Sequence, residues 1–513
     1  MKPIRLIFGF LTVGAWTLVS RVLGFARDIL IASRLGDGPV AEAFLVAFAL
    51  PNMFRRFFAE GAFNTAFVPM FSRKLERNDG AEEFARDAFS GLAGVLIVLT
   101  LLAQAIMPWL VLAMAAGFAD DGRLELATAF SRVCFPYILL ISLAALLSGV
   151  LNATGRFAAA AAAPVALNVV LIGAMLAAPS FGLSTGWALT WAVPIGGIVQ
   201  LALVWRAAAK AGFRLVPRRP RLTPDLKRLA VIALPAALAG GSIQINLLVG
   251  RQVASFFDGA IVWLSLADRL YQLPLGVVAI AIGVVLLPDL SRKLQAEDEA
   301  GSQNAFNRAA EFALLLTVPA AAALVVIPVP LVSVLYERGA FDAEATAATA
   351  LACAIYGLGL PAFVLQKVLQ PLFFARSDTQ SPFRYALWVM GVNTVVAVGL
   401  APVIGFSAAA IAASLSGWTM VWLLWRGSRN MGPAAQIDAR LRQRVPRILL
   451  STAVMSGVLW FTSQALQPAL SDPGWRVLAL AGLVTAGLVS YGLCALAVRA
   501  LTLSDLRAAV RRG

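Results

Sequence analysis

The sequence predicts an all-α integral membrane protein with about fourteen transmembrane helices, arranged as two six-helix lobes related by a parallel repeat plus two C-terminal helices. Three observations predict this. Of 513 residues, 60% are hydrophobic and only 13% are charged, whereas a soluble domain carries about 25% charged residues. Long apolar runs recur from end to end, near the ~20 residues that a bilayer-crossing helix needs. Basic residues gather in alternate loops. A transmembrane β-barrel would need short alternating strands in place of these unbroken runs.

Taken in order, the spans are predicted at 6–34, 40–72, 88–115, 126–151, 158–179, 183–206, 228–255, 260–290, 308–329, 342–374, 383–402, 405–425, 446–467 and 475–499. The first has a basic start and an apolar run that continues through Arg21 without a small-residue cleavage site. It reads as a span and not as a removed signal peptide. Several spans exceed the bilayer's need, so they should tilt, bend or protrude. With the N-terminus inside, the inside segments hold 30 Lys and Arg, chiefly in Arg73 to Arg86, Arg206 to Arg228 and Arg426 to Arg447. The outside loops hold four: Arg34, Arg123, Arg338 and Arg476. That bias follows the positive-inside rule and puts both termini in the cytoplasm. A missed or false span would scramble it. Topology also accounts for the formal net charge of +15, which on a soluble protein would suggest nucleic acid; no nucleic-acid partner is expected here.

An internal repeat organises the spans. Pro69 with FSRKL at 71–75 matches Pro288 with LSRKL at 290–294, at an offset of 219; Pro136 and Asn168 match Pro361 and Asn393, at 225. The offset equals six spans, and an even number keeps the orientation, so the repeat is parallel, with two lobes across an axis along the membrane normal. The expected division is an N-lobe at 1–215, a C-lobe at 216–430 and two additional helices at 431–513. Span one pairs with seven, and two with eight.

Several chemistries are excluded. Histidine is absent, which removes His-based catalysis, ligation and proton relay. Cys134, Cys353 and Cys494 lie in apolar spans without metal-ligand spacing, so core packing is the expectation. No GxxxxGK[ST] loop occurs, so no ATPase is encoded in this chain. No cofactor and no metal are expected.

What remains are charges inside the spans. Eight basic residues lie there: Arg21, Arg27, Arg55, Arg56, Arg132, Arg251, Arg269 and Lys367. Only four acids in the same spans are clearly internal or near-internal: Asp28, Glu42, Glu60 and Asp268. A central Arg costs about 2.5–3.5 kcal/mol on insertion scales, so such residues face a cavity or a partner. Arg132, Arg251 and Lys367 lie near span ends, where snorkelling suffices. Arg21, Arg55 and Arg269 lie near mid-span, with Arg27 somewhat nearer the outside. Arg21 and Asp28, seven apart, share a helix face. Arg56 and Glu60, four apart, can pair, so Arg56 reads as a support. The few acids cannot neutralise all these guanidinium groups, and a surplus in a low-dielectric cavity needs an anion, for which Arg offers bidentate phosphate binding. Pro51 precedes the Arg55–Arg56 pair and Pro274 follows Arg269. Each removes a backbone hydrogen bond and favours a bend, and broken helices beside charges are a recurring transporter device. Physical reading alone thus reaches a two-lobed transporter with a cationic central cavity and an anionic, phosphate-bearing cargo.

The segments SRVLGFARD (20–28), LPNMFRRFFAEGAFNTAFVP (50–69) and ADRLYQLP (267–274), extended by FPYILLISL (135–143) and LLPDLSRKL (286–294), closely resemble the MurJ (MviN) lipid II flippase family of bacterial peptidoglycan synthesis. That family belongs to the multidrug/oligosaccharidyl-lipid/polysaccharide exporter superfamily, with two six-helix lobes and alternating access. By this resemblance Arg21, Arg27, Arg55 and Arg269 would engage the pyrophosphate of lipid II. Asp28, Glu42, Arg56, Glu60 and Asp268 would be supporting or gating positions. Family members often have Asp where Glu42 stands, and some carry Lys where Ala49 stands. The resemblance further implies a lateral portal between spans one and eight, and a groove involving spans thirteen and fourteen for the lipid tail. It implies lipid II and membrane lipids as partners, cell-wall synthesis proteins as candidate partners, a monomer, and the bacterial cytoplasmic (inner) membrane as location. Transport would need a gradient to set its direction; Asp378 and Thr394 are only loose ion-site candidates.

Two alternatives stand beside this reading. Another polyprenyl-pyrophosphate-linked oligosaccharide flippase would share the anionic cargo. An integral membrane glycosyltransferase would need a carboxylate base at the membrane surface, and the short outside loops, with Asp120, Asp121, Asp342 and Glu344, form no catalytic constellation.

Overall fold

In hydrocarbon, backbone polar groups must satisfy one another, and a helix does so within a single segment. The computed structural model of the protein describes the backbone of residues 3–55 and 64–502, with side chains except at 3–11, 64–65, 234–247, 277 and 279–285. Among the described residues the architecture is helical throughout, with one isolated bridge between Arg338 and Phe341. In chain order the helices are α1 (Pro3–Leu35), α2 (Pro39–Arg55), α3 (Asn64–Glu76), α4 (Ala81–Ala105), α5 (Met107–Met114), α6 (Arg123–Cys134), α7 (Tyr137–Ala153), α8 (Ala158–Ala177), α9 (Thr185–Lys210) and α10 (Pro224–Ala254). They continue as α11 (Ala260–Gln295), α12 (Glu299–Val326), α13 (Pro328–Tyr336), α14 (Ala343–Phe374), α15 (Gln380–Ile404), α16 (Ser407–Ser428), α17 (Ala439–Ala465), α18 (Gln467–Ser471) and α19 (Arg476–Ala497). Ten helical segments among the described residues are long and apolar enough to cross a membrane. The predicted spans at 6–34, 40–72, 228–255 and 260–290 fall on α1, on α2 with α3, on α10 and on α11.

Proline decides where several helices break. α5 starts with Pro108 in its first turn, α13 starts on Pro328, and Pro136 separates α6 from α7. A proline lacks the N–H that a helix interior needs but not the one a first turn leaves unused. Pro51 and Pro274, expected to favour bends, lie within α2 and α11. Near Pro51 the Asn52 side-chain amide donates to the Phe48 carbonyl one turn back, at 2.7 Å.

The chain forms two units: Met1–Val262 with Arg338–Phe341, and Trp263–Glu337 with Asp342–Gly513. In the first, the apolar stretch of α6 and α7 is 67% buried. In the second, those of α14 and α16 are 56% buried, whereas that of α15 is 17% buried. On α15, Trp388, Val395 and Val403 are all more than 70% exposed. Such a face would be unfavourable in water and is what lipid-facing helices present. In the first unit, α1 ends where Gly36 takes φ of 65° and donates to the Ala32 carbonyl at 2.8 Å. The Arg338–Phe341 segment packs there, with the Ala340 N–H donating to the Ser33 carbonyl at 2.9 Å. A Cβ at Gly36 would meet the Ala340 carbonyl. This turn carries the chain into α2 and sets Glu42 in its first turn.

Candidate functional site

Arg21, Arg27 and Asp28 all lie on α1. Arg27 and Asp28 are buried, while Arg21 is exposed. The buried charge is paired locally: Arg27 Nε and Nη2 both donate to Asp28 Oδ1, at 3.0 and 2.7 Å. Arg27 Nη1 donates to Asn168 Oδ1 on α8 at 3.1 Å. Asn168, itself buried, donates from Nδ2 to the Ser20 carbonyl of α1 at 3.1 Å. The guanidinium also lies 5.7 Å from the Phe48 ring centroid on α2, a favourable cation–π distance. A guanidinium has five N–H donors, and three are committed here. Among the described residues, one N–H remains on each terminal nitrogen.

Glu42 belongs to a different cluster of the same unit. It is 1% exposed, and a carboxylate so buried requires a partner. Arg123, on the first residue of α6, supplies it through Nη1 at 2.8 Å, and the Ile261 backbone N–H adds a bond to Oε1 at 3.3 Å. Arg123 also reaches Asp121 at 2.6 Å and Asp258 at 3.0 Å, and lies 4.6 Å from the Phe118 ring centroid. Asp121 accepts the Arg123 backbone N–H at 2.8 Å, so one carboxylate bonds both the backbone and the side chain of the helix's first residue. That hydrogen bond from Arg123 is the chief reason the Asp121 carboxyl is held below its ordinary value. A cavity of about 290 Å³, lined by Asp37, Glu42, Asp121, Arg123 and Asp258, opens here.

Arg55 is the last described residue of α2 and is half-buried, next to Phe54, whose ring meets Phe135 edge-on at 5.6 Å. Arg56 and Glu60, expected to pair, lie outside the described residues. In the second unit, Arg269 is exposed on α11 and Asp268 is half-buried, accepting from the Gln272 side-chain amide. Tyr271 of the same helix packs 5.1 Å from Tyr356 and 5.4 Å from Phe363, both on α14. Arg132 and Lys367 are exposed. Asp378 and Thr394 make bonds within their own segment: Asp378 accepts from the Ser381 N–H at 2.9 Å, and Thr394 donates to the Met390 carbonyl at 2.9 Å.

Sequence reasoning missed two partners of the first unit. Arg123 reads as an ordinary loop cation because Asp120, Asp121 and Gly122 precede it; the signal was Glu42, an intramembrane acid with no base one turn away. Asn168 is legible only as a repeat position. The second unit has a further cluster, also missed. Glu311 on α12 is buried and ringed by Arg308, Arg440 and Arg444, with Asp438 also on Arg308. Beside it, an apolar cavity of about 520 Å³ is lined by Leu314 and Val318 of α12, Leu358 of α14, Trp418 of α16, and Ile448 and Leu449 of α17.

Comparison with known proteins gives a consistent result. The family model described as "Lipid II flippase MurJ" matches residues 31–473. The chain is 45% identical over 486 residues to "Probable lipid II flippase MurJ" of Rhizobium tropici, covering 93% of this chain and 91% of that protein. It is 45% identical over 523 residues to the protein of the same name from Rhizobium meliloti, covering 99% of this chain and 97% of the relative. A solved structure described as "Lipid II flippase MurJ, inward closed conformation" shares the fold, with a TM-score of 0.78 at 23% identity, covering 94% of this chain and 98% of that one.

Proposed function

The chain belongs to the lipid II flippase MurJ family, and on that premise we propose that it carries lipid II from the inner to the outer leaflet of the bacterial cytoplasmic membrane by alternating access. It is a transporter and not an enzyme. The observation that carries the reading is the family match across residues 31–473 together with 45% identity to two relatives over nearly their whole length. Both termini face the cytoplasm and the chain acts as a monomer, with cell-wall synthesis proteins as candidate partners. Two six-helix lobes, 1–215 and 216–430, rock to alternate access, and 431–513 adds two helices.

The pyrophosphate is bound by Arg21, Arg27, Arg55 and Arg269. Arg27 supports this assignment, because burial strengthens its field and, among the described residues, one N–H is left on each terminal nitrogen, donors that phosphate oxygens accept. Asp28, Glu42, Arg56, Glu60 and Asp268 support or gate. The apolar cavity lined by α12, α14, α16 and α17 has the chemistry of a groove for the polyprenyl tail, while the headgroup enters laterally. An ion or potential gradient sets the direction, since binding alone shifts no cycle.

The test is reconstitution of the full chain in proteoliposomes containing lipid II, with headgroup exposure measured at the far leaflet. The wild type should move lipid II, and Arg55→Ala and Arg269→Ala should abolish transport while eluting as folded protein. Undiminished transport in both variants would overturn the site; no transport by folded wild type under an imposed gradient would overturn the function.

A further inference from the structure

We propose that Asn168 is a positioning residue for the cargo's phosphate: it aims Arg27 so that the remaining terminal N–H pair meets two oxygens of one phosphate group. The inference rests on the reading of Arg27 as a pyrophosphate ligand. Three facts about the amide carry it.

First, both ends of Asn168 are used. Oδ1 accepts from Arg27 Nη1 and Nδ2 donates to the Ser20 carbonyl, each at 3.1 Å. The residue is 6% exposed, so water is poorly placed to replace either bond. One side chain of α8 thereby grips α1 at two points nearly two turns apart, with Arg21 between them. Second, Asp28 alone does not orient the guanidinium. A single oxygen, Oδ1, takes both Nε and Nη2, which anchors one edge and leaves the plane able to swing about it. The Asn168 contact at Nη1 fixes the plane. The N–H groups left over among the described residues are one on Nη1 and one on Nη2, donors on two neighbouring nitrogens, as a bidentate phosphate contact requires. Third, the acceptor is neutral. An amide orients Arg27 without adding negative charge, so the cation retains its attraction for an anion. A carboxylate in the same place would compete with the cargo.

Gly24 completes the arrangement. It lies on α1 between the two gripped points, and a Cβ there would sit 3.7 Å from Asn168 Nδ2. A methyl group fits at that distance, but a longer side chain would take the amide's space.

The experiment titrates lipid II in proteoliposomes of the full chain and separates KM from kcat, with the unfolding midpoint in detergent measured alongside. Asn168→Ala should raise KM about tenfold with kcat near wild type, while the loss of two buried bonds lowers the midpoint modestly. Undecaprenyl pyrophosphate and undecaprenyl monophosphate should both compete less well against this variant by a similar factor, because each offers two oxygens on one phosphate group. In an Arg27→Ala background Asn168→Ala should add nothing further, because the amide acts through Arg27. Gly24→Leu should reproduce the KM rise without touching the amide's chemistry, and it carries the test if Asn168→Ala does not fold. An unchanged KM with lower kcat or lower midpoint would overturn the proposal, as would additivity with Arg27→Ala. Failure of both variants to fold would mark Asn168 as a structural clamp and equally overturn it. If Arg27→Ala itself leaves KM unchanged, the pyrophosphate reading fails. If Arg27→Ala raises KM and Asn168→Ala does not, only the positioning role fails.

Discussion

Arg27 and Arg123 lie in the same unit and are equally buried, each 7% exposed, yet their surroundings have opposite composition. Arg123 faces three carboxylates, from Glu42, Asp121 and Asp258, and donates besides to the Gly117 carbonyl. Among the described residues Arg27 has one carboxylate and one neutral amide, with one N–H left on each terminal nitrogen. The first is a cation surrounded by more negative charge than it can neutralise. The second is a cation held in place and left attractive to an anion. Under the proposed reading of Arg27 as a pyrophosphate ligand, burial does not separate it from Arg123; the balance of acceptors around each does. Glu311 shows the converse in the second unit, one buried carboxylate among three arginines.

The sharpest way to break this contrast is at Arg123. Arg123→Ala leaves Glu42 almost fully enclosed without its base, and removing one partner of a buried pair costs about 3–5 kcal/mol. The expected outcome is a large fall in unfolding free energy in detergent, partly restored when Glu42→Gln is added. Arg123→Ala unfolding like wild type would remove the structural side of the contrast.

Arg27→Lys tests the other side. The ammonium keeps a positive charge for Asp28 but cannot present parallel donors. Transport should fall about tenfold while the unfolding midpoint stays close to wild type. Full transport by Arg27→Lys would mean that charge, and not the fork of donors, is what the cargo reads.

The two clusters were unequally legible in the sequence, for a physical reason. Hydropathy is local, so each predicted span meets a helix among the described residues, whereas the breaks at Pro108, Pro136 and Pro328 needed coordinates. Arg27 and Asp28 are neighbours in the chain, so their pairing is also local information. Glu42 and Arg123 are 81 residues apart, and Arg27 and Asn168 are 141 apart. No periodicity connects such positions. An unpartnered acid in a span signals that a base exists somewhere, but only packing says which one, and Arg123 sits among loop residues that disguise it. Asn168 carries no charge, so a tally of charges passes over it.

The smallest effect is expected at Asp121, and it tests whether the saturation around Arg123 is redundant. Asp121 is 40% exposed, so its ion pair should contribute less than about 1 kcal/mol. Its carboxyl is held below the ordinary value of 3.8, chiefly by the hydrogen bond from Arg123. A pKa lowered on folding contributes stability that is fully present above the unfolded value and is lost as pH falls through the folded one. The contribution is therefore constant near neutral pH and disappears only below about pH 4. Asp121→Asn keeps an acceptor for the Arg123 N–H and removes only the charge. Wild type should thus exceed Asp121→Asn slightly in unfolding free energy at pH 7, and the difference should close on acidification. A gap at pH 7 as large as that of Arg123→Ala would mean that the exposed Asp121, and not the enclosed Glu42, is the partner Arg123 serves.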